Sequence, residues 1–366
     1  MTFSLSLLKR RKQLPAWLLW LFGGSVLAFA VLILWINEGQ INFGDVAQDS
    51  RNVGDVDAAK TGQLIWLSGV VTTAQLVGDL PYVPLRPRIA LARTAEMFAW
   101  QEISSTQTSN NATTFRYVAG WTQQPQDSRN FIQPAQHANP NTPLMPAMQL
   151  TASQIYVGGF VVNTALKLDL PNAIPLDTAE WAFPTHTRWI TEFLYLDDAD
   201  PHAPKIGDVR LQYSEVPAER AVTVFGIQQG GQLLPYFHRG NAADKLFRLF
   251  FADRDSAIAQ MQSEYTGLLW FTRFFGFLTL WLGLIAMLRP VTRMVELLPF
   301  GELLRGLGNA LHIAISFVLA LTTSALIIAV SFVAHQPLAL LAVLILVVAG
   351  TGLWVRGRRS RAAALT

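Results

Sequence analysis

The chain contains no cysteine among its 366 residues, and only 14% of its residues are charged. The absence of cysteine excludes disulfides, thiolate nucleophiles and cysteine-based zinc sites. The charged fraction is well below the roughly 25% of an average soluble domain. The deficit is concentrated in four apolar runs of about 20 residues, a length that crosses a bilayer. These runs are residues 16–36, 267–288, 310–334 and 337–355.

Catalytic and metal-binding patterns are also scarce. The six histidines do not fall at metal-ligand spacing on one element, and there is no Gly-x-Ser-x-Gly elbow, phosphate-binding glycine loop or His-Glu-x-x-His. The acidic run 197–200 lacks the glycine and terminal glutamate of an EF-hand, so we interpret it as a solvated turn, with a calcium loop as the alternative. We therefore predict no enzymatic activity and no cofactor or metal, and we expect no nucleic-acid partner.

Charge divides the chain into two kinds of segment. Residues 1–15, the loop 289–309 and the tail 356–366 together carry 11 basic and 2 acidic residues, whereas the rest carries 17 basic and 23 acidic residues. Short loops rich in Lys and Arg stay in the cytoplasm. We therefore predict cytoplasmic termini and one large domain, residues 37–266, outside. The first run exceeds the roughly 7–15 residues of a cleavable signal segment, so we expect an uncleaved anchor.

The outer segment alternates apolar and polar residues with period two, which is typical of half-buried strands. The strand-like stretches are 63–67, 89–103, 114–118, 155–157, 160–162, 209–213 and 222–225. The Gly-Gly pair at 230–231 predicts a tight hairpin, and the stretches 155–157 and 160–162 flank a second Gly-Gly pair at 158–159. The predicted fold class is an α+β membrane protein with four transmembrane helices and one large, mainly antiparallel β domain, a sandwich or open barrel. Residues 123–150 predict a long ordered loop, and residues 254–265 predict a helix that continues into the second span.

The cytoplasmic loop 289–309 mixes leucines with arginines and glutamates and is broken at Pro299. This composition predicts an amphipathic segment on the inner leaflet, where anionic lipid would attract its arginines. Packing beneath the other spans is the alternative.

The predicted strand 89–103 places three functional candidates on one face, because side chains alternate along a strand. They are Glu96, Trp100 and Glu102. The two glutamates could form an acid pair, but we expect them to pair with nearby arginines. The arginines considered are Arg93, Arg116 and Arg129.

The polar loop that follows supplies three further candidate structural or interaction residues, Arg129, Asn130 and His137. Arg129 suits a loop anchored by bidentate hydrogen bonds, since its guanidinium presents a planar fork of donors. We therefore predict a structural role for Arg129 within a partly buried network.

Two ionisable residues lie within the predicted spans. Arg273 lies near the outer end of the second span, where we expect it to snorkel to the headgroups, with pore lining as the alternative. His312 lies near the inner end of the third span and is a functional candidate, because ionisable groups are costly at membrane depth. Hydroxyl residues between Ser316 and Ser331 favour helix contact, either within one chain or along a water-lined or oligomeric seam.

Several short stretches resemble the transmembrane protein 43 (LUMA) family in their order and spacing, over nearly the whole chain. They are Asn37-Glu38-Gly39, 62–69, 96–100, 128–131, 137–140, 206–210 and 222–235. The resemblance implies four spans and a large extracytoplasmic domain. Eukaryotic members lie in the endoplasmic reticulum and inner nuclear membrane and are regarded as scaffolds that self-associate, and some are linked to channel activity. The resemblance supplies no catalytic residues.

Together these features predict a bacterial member of that family in the cell inner membrane. Its function is predicted to be that of a non-enzymatic scaffold or assembly protein whose outer, periplasmic β domain binds an unidentified protein partner or its own copies. Homo-oligomers and anionic inner-leaflet lipid are the expected partners. A channel or transporter subunit built on the last three spans is the alternative. The scarcity of ionisable residues in the spans weighs against a proton relay or a transporter.

Overall fold

The computed structural model describes residues 15–54, 60–106, 113–176, 184–295 and 301–336, together with Leu341 and Ile345. The chain divides into two compact units. The helical unit comprises residues 1–42 and 261–366, and the β unit comprises Phe43–Gln260. The architecture is therefore α+β, as predicted.

The described helices are α1 (Ala16–Glu38), α2 (Phe43–Gln48), α3 (Arg254–Val295) and α4 (Gly301–His335). Three of them, α1, α3 and α4, are long and apolar enough to cross a membrane. The predicted helix at 254–265 is confirmed, and it continues into the second span. The predicted fourth span, residues 337–355, falls almost wholly outside the described residues. The same holds for the break at Pro299 and for all side chains between 291 and 309.

The described strands are numbered β1 to β17 in chain order. They are β1 (Arg51–Asn52), β2 (Leu64–Thr72), β3 (Leu76–Asp79), β4 (Val83–Thr106), β5 (Thr113–Thr122), β6 (Met148–Thr151), β7 (Gln154–Val157), β8 (Phe160–Asn163), β9 (Ile174–Pro175), β10 (Arg188–Ile190), β11 (Phe193–Tyr195), β12 (Val209–Pro217), β13 (Arg220–Gln229), β14 (Gln232–Leu234), β15 (Tyr236–Phe237), β16 (Lys245–Leu246) and β17 (Arg248–Phe250). The predicted Gly-Gly hairpin at 230–231 is present as β13–β14, and Gly158-Gly159 likewise connects the hairpin β7–β8.

Five strands of the first sheet form a closed ring, in the order β2, β7, β8, β14 and β13. The ring closes because β13 pairs with β14 and also, over eight residues from Arg220 to Ile227, with β2. The pairing of β8 with β14 is parallel, and the other four pairings are antiparallel. The predicted mainly antiparallel character is therefore confirmed. This sheet is therefore barrel-like, and its ring is closed, whereas the prediction allowed a sandwich or an open barrel.

The second sheet is built on β4, a strand of 24 residues. It pairs antiparallel with β12 along one edge and with β6 and β5 along the other. Odd-numbered residues from Leu91 to Ala99 are buried, whereas even-numbered residues from Ala92 to Trp100 are partly exposed. The buried face joins the interior of the ring in one apolar core that includes Ile65, Leu91 and Phe160. The opposite face carries the polar candidates.

The helical unit packs through small residues. Ala30 and Leu34 of α1, Leu280 of α3 and Ala320 of α4 form a buried cluster. The Ser331 hydroxyl of α4 donates to the Trp35 carbonyl of α1 at 2.9 Å. These contacts support the first alternative for the hydroxyl-rich third span, packing within one chain.

Candidate functional site

Glu96 is paired with an arginine of the neighbouring strand. Arg210 on β12 lies directly opposite Glu96, and its Nε and Nη2 donate to Glu96 Oε2 at 2.8 and 2.6 Å. The guanidinium carbon also lies 3.7 Å from the ring centroid of Phe193 and 4.5 Å from that of Trp121. Both charges are less than one-fifth exposed. The cluster therefore joins β4, β5, β11 and β12 by charge-assisted and cation–π contacts.

The arginines predicted to pair with Glu96 and Glu102 do not do so. Arg93 is one of the odd-numbered residues of β4, so its side chain points into the core, away from Glu96. Arg116 lies opposite Ile103 and therefore shares a face with Ile103 and not with Glu102. Both partner predictions were wrong, because proximity in sequence does not overcome the alternation of side chains.

Glu102 instead joins the sheet to the long loop. Its Oε2 accepts the Tyr117 hydroxyl of β5 at 2.5 Å and the Ile132 backbone N–H at 2.7 Å. The Tyr117 oxygen accepts the Gln133 N–H at 2.9 Å. Burial and the hydrogen bond to Glu102 raise the pKa of Tyr117, so the phenol remains a donor at neutral pH. The alternative considered for these residues, an acid pair between Glu96 and Glu102, is not formed.

His137 and Trp100 complete this contact. The His137 ring stacks on Tyr117 with centroids 3.7 Å apart and planes 8° from parallel. It also meets the edge of Trp100 at a centroid distance of 4.8 Å. His137 and Trp100 are thus brought together with Glu102, and they fix the loop against the outer face of the sheet.

Asn139, which sequence reasoning missed, closes the edge of β4 beyond the end of β12. Its side chain accepts the Trp100 N–H at 2.7 Å and donates to the Trp100 carbonyl at 2.9 Å. Gln126 accepts the Glu102 N–H at 2.7 Å. Two side-chain amides therefore occupy the place of a neighbouring strand and protect an otherwise open edge. Asn139 belongs to the family-like stretch His137-Ala-Asn-Pro140, but the spacing of that stretch does not indicate that the Asn139 side chain caps the edge of a strand.

Arg129 forms a bidentate pair, but only within its own turn. Its Nε and Nη2 lie 2.9 and 2.7 Å from the Asp127 carboxylate, and its side chain is 75% exposed. These hydrogen bonds lower the pKa of the Asp127 carboxyl. The exposed Asn130 donates its backbone N–H to the Asp127 carbonyl at 3.0 Å. The prediction that Arg129 lies in a partly buried network was therefore wrong, because its side chain is mostly exposed. Exposed ion pairs contribute only about 0–1 kcal/mol.

A buried charge network lies on the core face of the same sheet. Asp79 accepts Arg93 Nη1 at 2.5 Å and the Tyr213 hydroxyl at 2.6 Å, and Arg93 Nη2 donates to the Pro146 carbonyl at 3.0 Å. Tyr213 is 1% exposed. Burial, followed by the hydrogen bond to Asp79, raises the pKa of its phenol. The network ties β3, β4, β12 and the loop before β6 together.

A cleft of the β unit lies on the face that carries the candidates. It has a volume of about 710 Å³ and lies against Ala90 and Ala92 of β4, Ser214 of β12 and the segment 168–173. Small and hydroxyl side chains dominate this lining. In the described ranges no three His, Asp or Glu side chains converge as metal ligands.

The acidic run 197–200 is an exposed turn with positive φ at Asp197 and Asp198. The Asp198 carboxylate bonds His186 Nδ1 at 2.5 Å and raises the pKa of that imidazole. The pair lies at the surface, with both side chains more than half exposed. This geometry supports a solvated turn.

In the helical unit Arg273 is paired with an acid. Its Nε and Nη2 lie 2.8 and 2.7 Å from the two carboxylate oxygens of Glu38 at the end of α1. The Glu38 side chain is 2% exposed and that of Arg273 is 17% exposed. Asn37 adds a bond to the Leu269 carbonyl of α3 at 3.2 Å. The snorkelling prediction for Arg273 was therefore wrong, because a buried bidentate partner was available.

His312 is 7% exposed, and no described residue bonds its buried Nε2. Trp281 Nε1 of α3 also lacks a partner among the described residues. The structure thus places His312 inside the helical unit and does not bring it near Arg273 through any described contact.

The family comparison matches this architecture. The sequence profile of Transmembrane protein 43 matches residues 97–337, which is more than half of the chain. The chain belongs to the Transmembrane protein 43 family. Transmembrane protein 43 of Rattus norvegicus is 28% identical over 315 residues, covering 80% of this chain and 76% of the relative.

Other relatives extend the same alignment. Transmembrane protein 43 of Homo sapiens is 25% identical over 312 residues, covering 80% of this chain and 76% of the relative. The Drosophila melanogaster homolog is 24% identical over 356 residues, covering 88% of this chain and 90% of the relative. No solved structure matches the chain significantly. Family membership and the three apolar helices make this chain a multi-pass membrane protein.

Proposed function

We propose that this Transmembrane protein 43 family member is a non-enzymatic, membrane-anchored assembly protein whose β domain binds a protein partner or further copies of the chain. The observation that carries the proposal is the internal use of the polar candidates. Glu96 is occupied by Arg210, Glu102 by Tyr117 and a backbone N–H, and His137 by two aromatic rings. Side chains that are engaged in internal contacts of this kind stabilise the surface and are not available as catalytic groups.

The β4–β5 hairpin and the loop that covers it also expose apolar side chains, on both faces of the hairpin. Phe115, on the face of Glu102 and Tyr117, and Ile132 of the covering loop are 42% and 62% exposed. Ile103 and Val118, on the opposite face, are 44% and 38% exposed. Exposed apolar groups concentrated in one part of a domain are typical of protein interaction sites. This feature favours a binding role for the β domain.

The proposal includes a topology. The charge asymmetry supports cytoplasmic termini, a fourth span at 337–355 and an extracytoplasmic β domain at 37–266, in a bacterial inner membrane. The loop 289–309 would then face the anionic inner leaflet. Single cysteines at the exposed Ile132 and at Ser360 test this arrangement, because the chain has no native thiol. An impermeant maleimide should label only Ile132→Cys in intact cells, and the opposite pattern would reverse the topology.

Self-association is tested directly with two differently tagged copies of the full chain. Copies expressed together should co-purify in mild detergent, and copies mixed only after solubilisation provide the control for non-specific aggregation. If neither a second copy nor any stoichiometric protein partner accompanies the chain, the assembly proposal fails.

The alternative channel function is tested by conductance recording on the reconstituted chain. The neutralisation of Arg273 by Glu38 and the use of Ser331 in a contact with α1 weigh against a polar pore. We therefore expect no stepwise conductance above that of an empty bilayer. Reproducible unitary currents would favour the channel.

A further inference from the structure

The outer edge of β5 carries backbone groups that pair with none of the described residues. Residues 98, 100 and 102 of β4 direct their N–H groups away from β5, to Asp208, Asn139 and Gln126. In an antiparallel pair, opposite residues both point inward or both point outward. Their opposite residues in β5, at 121, 119 and 117, therefore also point outward, and Phe115 follows by alternation.

This edge is open along the described part of the domain. No backbone hydrogen bond among the described residues reaches Phe115, Tyr117, Ala119 or Trp121 from that side. The edge also lacks the usual protection, since β5 contains no lysine or proline and one charged residue, Arg116. The free edge of β4, in contrast, is capped by Asn139 and Gln126. An uncapped edge from Phe115 to Trp121 is suited to the addition of another strand.

The sequence of β5 is complementary to itself in one register. If a second β5 runs antiparallel with Val118 on the two-fold axis, each bulky residue next to the axis meets a small one. The opposed pairs are Val118 with Val118, Tyr117 with Ala119, Arg116 with Gly120, and Phe115 with Trp121. This register separates the two arginines and lets the two terminal pairs of aromatic rings meet.

We propose that β5 is the contact between copies of this chain: two molecules join by antiparallel β5–β5 pairing centred on Val118. The pairing extends the second sheet across a two-fold axis and adds about eight backbone hydrogen bonds, two for each of the four outward-pointing residues. The inference rests on the proposed self-association and names the surface that performs it.

A single cysteine at Val118 tests the contact. Val118 and its symmetry mate form a narrow, non-hydrogen-bonded pair, with Cα atoms about 4.5 Å apart, which is within disulfide range. Full-length Val118→Cys in native membranes, treated with a copper–phenanthroline oxidant, should convert mostly to a disulfide dimer on a non-reducing gel. Val70→Cys is the matched control. Val70 is a more exposed valine, at 53% against 38%, but it lies on β2, where its neighbour Ala221 already occupies the pairing position.

The register is tested with a mixed pair. Arg116→Cys in one tagged copy and Gly120→Cys in the other should form a heterodisulfide, whereas Arg116→Cys alone should not form a dimer. Gly120 accepts a side chain, because no atom lies within 4 Å of its added Cβ. This pair also provides the test if Val118→Cys fails to fold.

The possible outcomes separate the two proposals. Efficient Val118 and 116–120 cross-links, with none at Val70, support the contact. Failure of both while tagged copies still co-purify, or cross-linking of Val70→Cys equal to that of Val118→Cys, would overturn the β5 contact and leave self-association standing. Failure of both together with loss of co-purification would overturn the contact and self-association.

Discussion

Two Asp–Arg pairs of the β domain allow one substitution to be compared in two environments. Asp79 pairs with Arg93 in the core, where the side chains are 14% and 9% exposed. Asp127 pairs with Arg129 at the surface, where they are 39% and 75% exposed. Asp→Asn keeps the shape of the side chain and removes its charge, so the difference between the two variants isolates the effect of burial.

The expected magnitudes differ by severalfold. Asp79→Asn leaves Arg93 buried without its counter-charge, and breaking a buried pair in this way costs about 3–5 kcal/mol. Arg93 Nε already lacks a hydrogen-bond partner among the described residues, so the guanidinium has little compensation nearby. Asp127→Asn should change the free energy of unfolding only slightly, since solvent screens an exposed pair. For a domain of this size, 1 kcal/mol corresponds to a Tm change of about 2–4 °C.

The assay is thermal unfolding of the full chain in one detergent, followed by near-ultraviolet circular dichroism of the β domain. Asp79→Asn should lower the β-domain Tm by about 6–20 °C, and Asp127→Asn by no more than about 4 °C. Equal shifts for the two variants would refute the assignment of Asp79 and Arg93 as a buried ion pair.

Three further predictions follow from other contacts. Arg273→Gln leaves Glu38 buried and unpaired, so it should lower the Tm of the helices measured in detergent. Adding Glu38→Gln to this variant should restore part of the lost Tm. Strictly additive losses in the double variant would contradict the pairing. Asp198 raises the pKa of His186, so this pair stabilises the fold fully below the pKa that His186 has in the unfolded chain. That stability is lost as the pH rises through the higher pKa of the folded state. Asp198→Asn should therefore lower the His186 pKa in an NMR titration, and an unchanged pKa would refute the contact. Tyr117→Phe removes the hydroxyl that joins the sheet to the loop, so amide exchange at residues 131–133 should accelerate about fivefold or more. Unchanged exchange would show that the loop does not depend on this hydroxyl.

Sequence patterns were sufficient to predict those structural features that depend on residues close together in the chain. The alternation in β4, the Gly-Gly hairpin at 230–231 and the apolar length of α1, α3 and α4 were all predicted, because each depends on residues that are close in sequence. Family membership was also predicted, from short motifs in the correct order.

Partners distant in sequence could not be predicted in the same way. Arg210 lies 114 residues from Glu96, and Glu38 lies 235 residues from Arg273. Their pairing depends on strand register and helix packing, which composition does not determine. The closure of the ring by β13 and β2 had the same origin, since their paired residues are separated by about 150 positions. The roles of Arg129 and Asn139 depended on loop geometry, for which alternation gives no signal.

The central claim is that the chain assembles in the membrane through its β domain. Single-molecule photobleaching of the full chain, carrying one fluorophore per copy in native membrane vesicles at low density, tests this claim most directly. We predict that most spots bleach in two or more steps, and that the distribution shifts toward single steps when Ala119→Pro removes an outward N–H from β5. If most spots of the unaltered chain bleach in a single step under these conditions, the result would contradict the account.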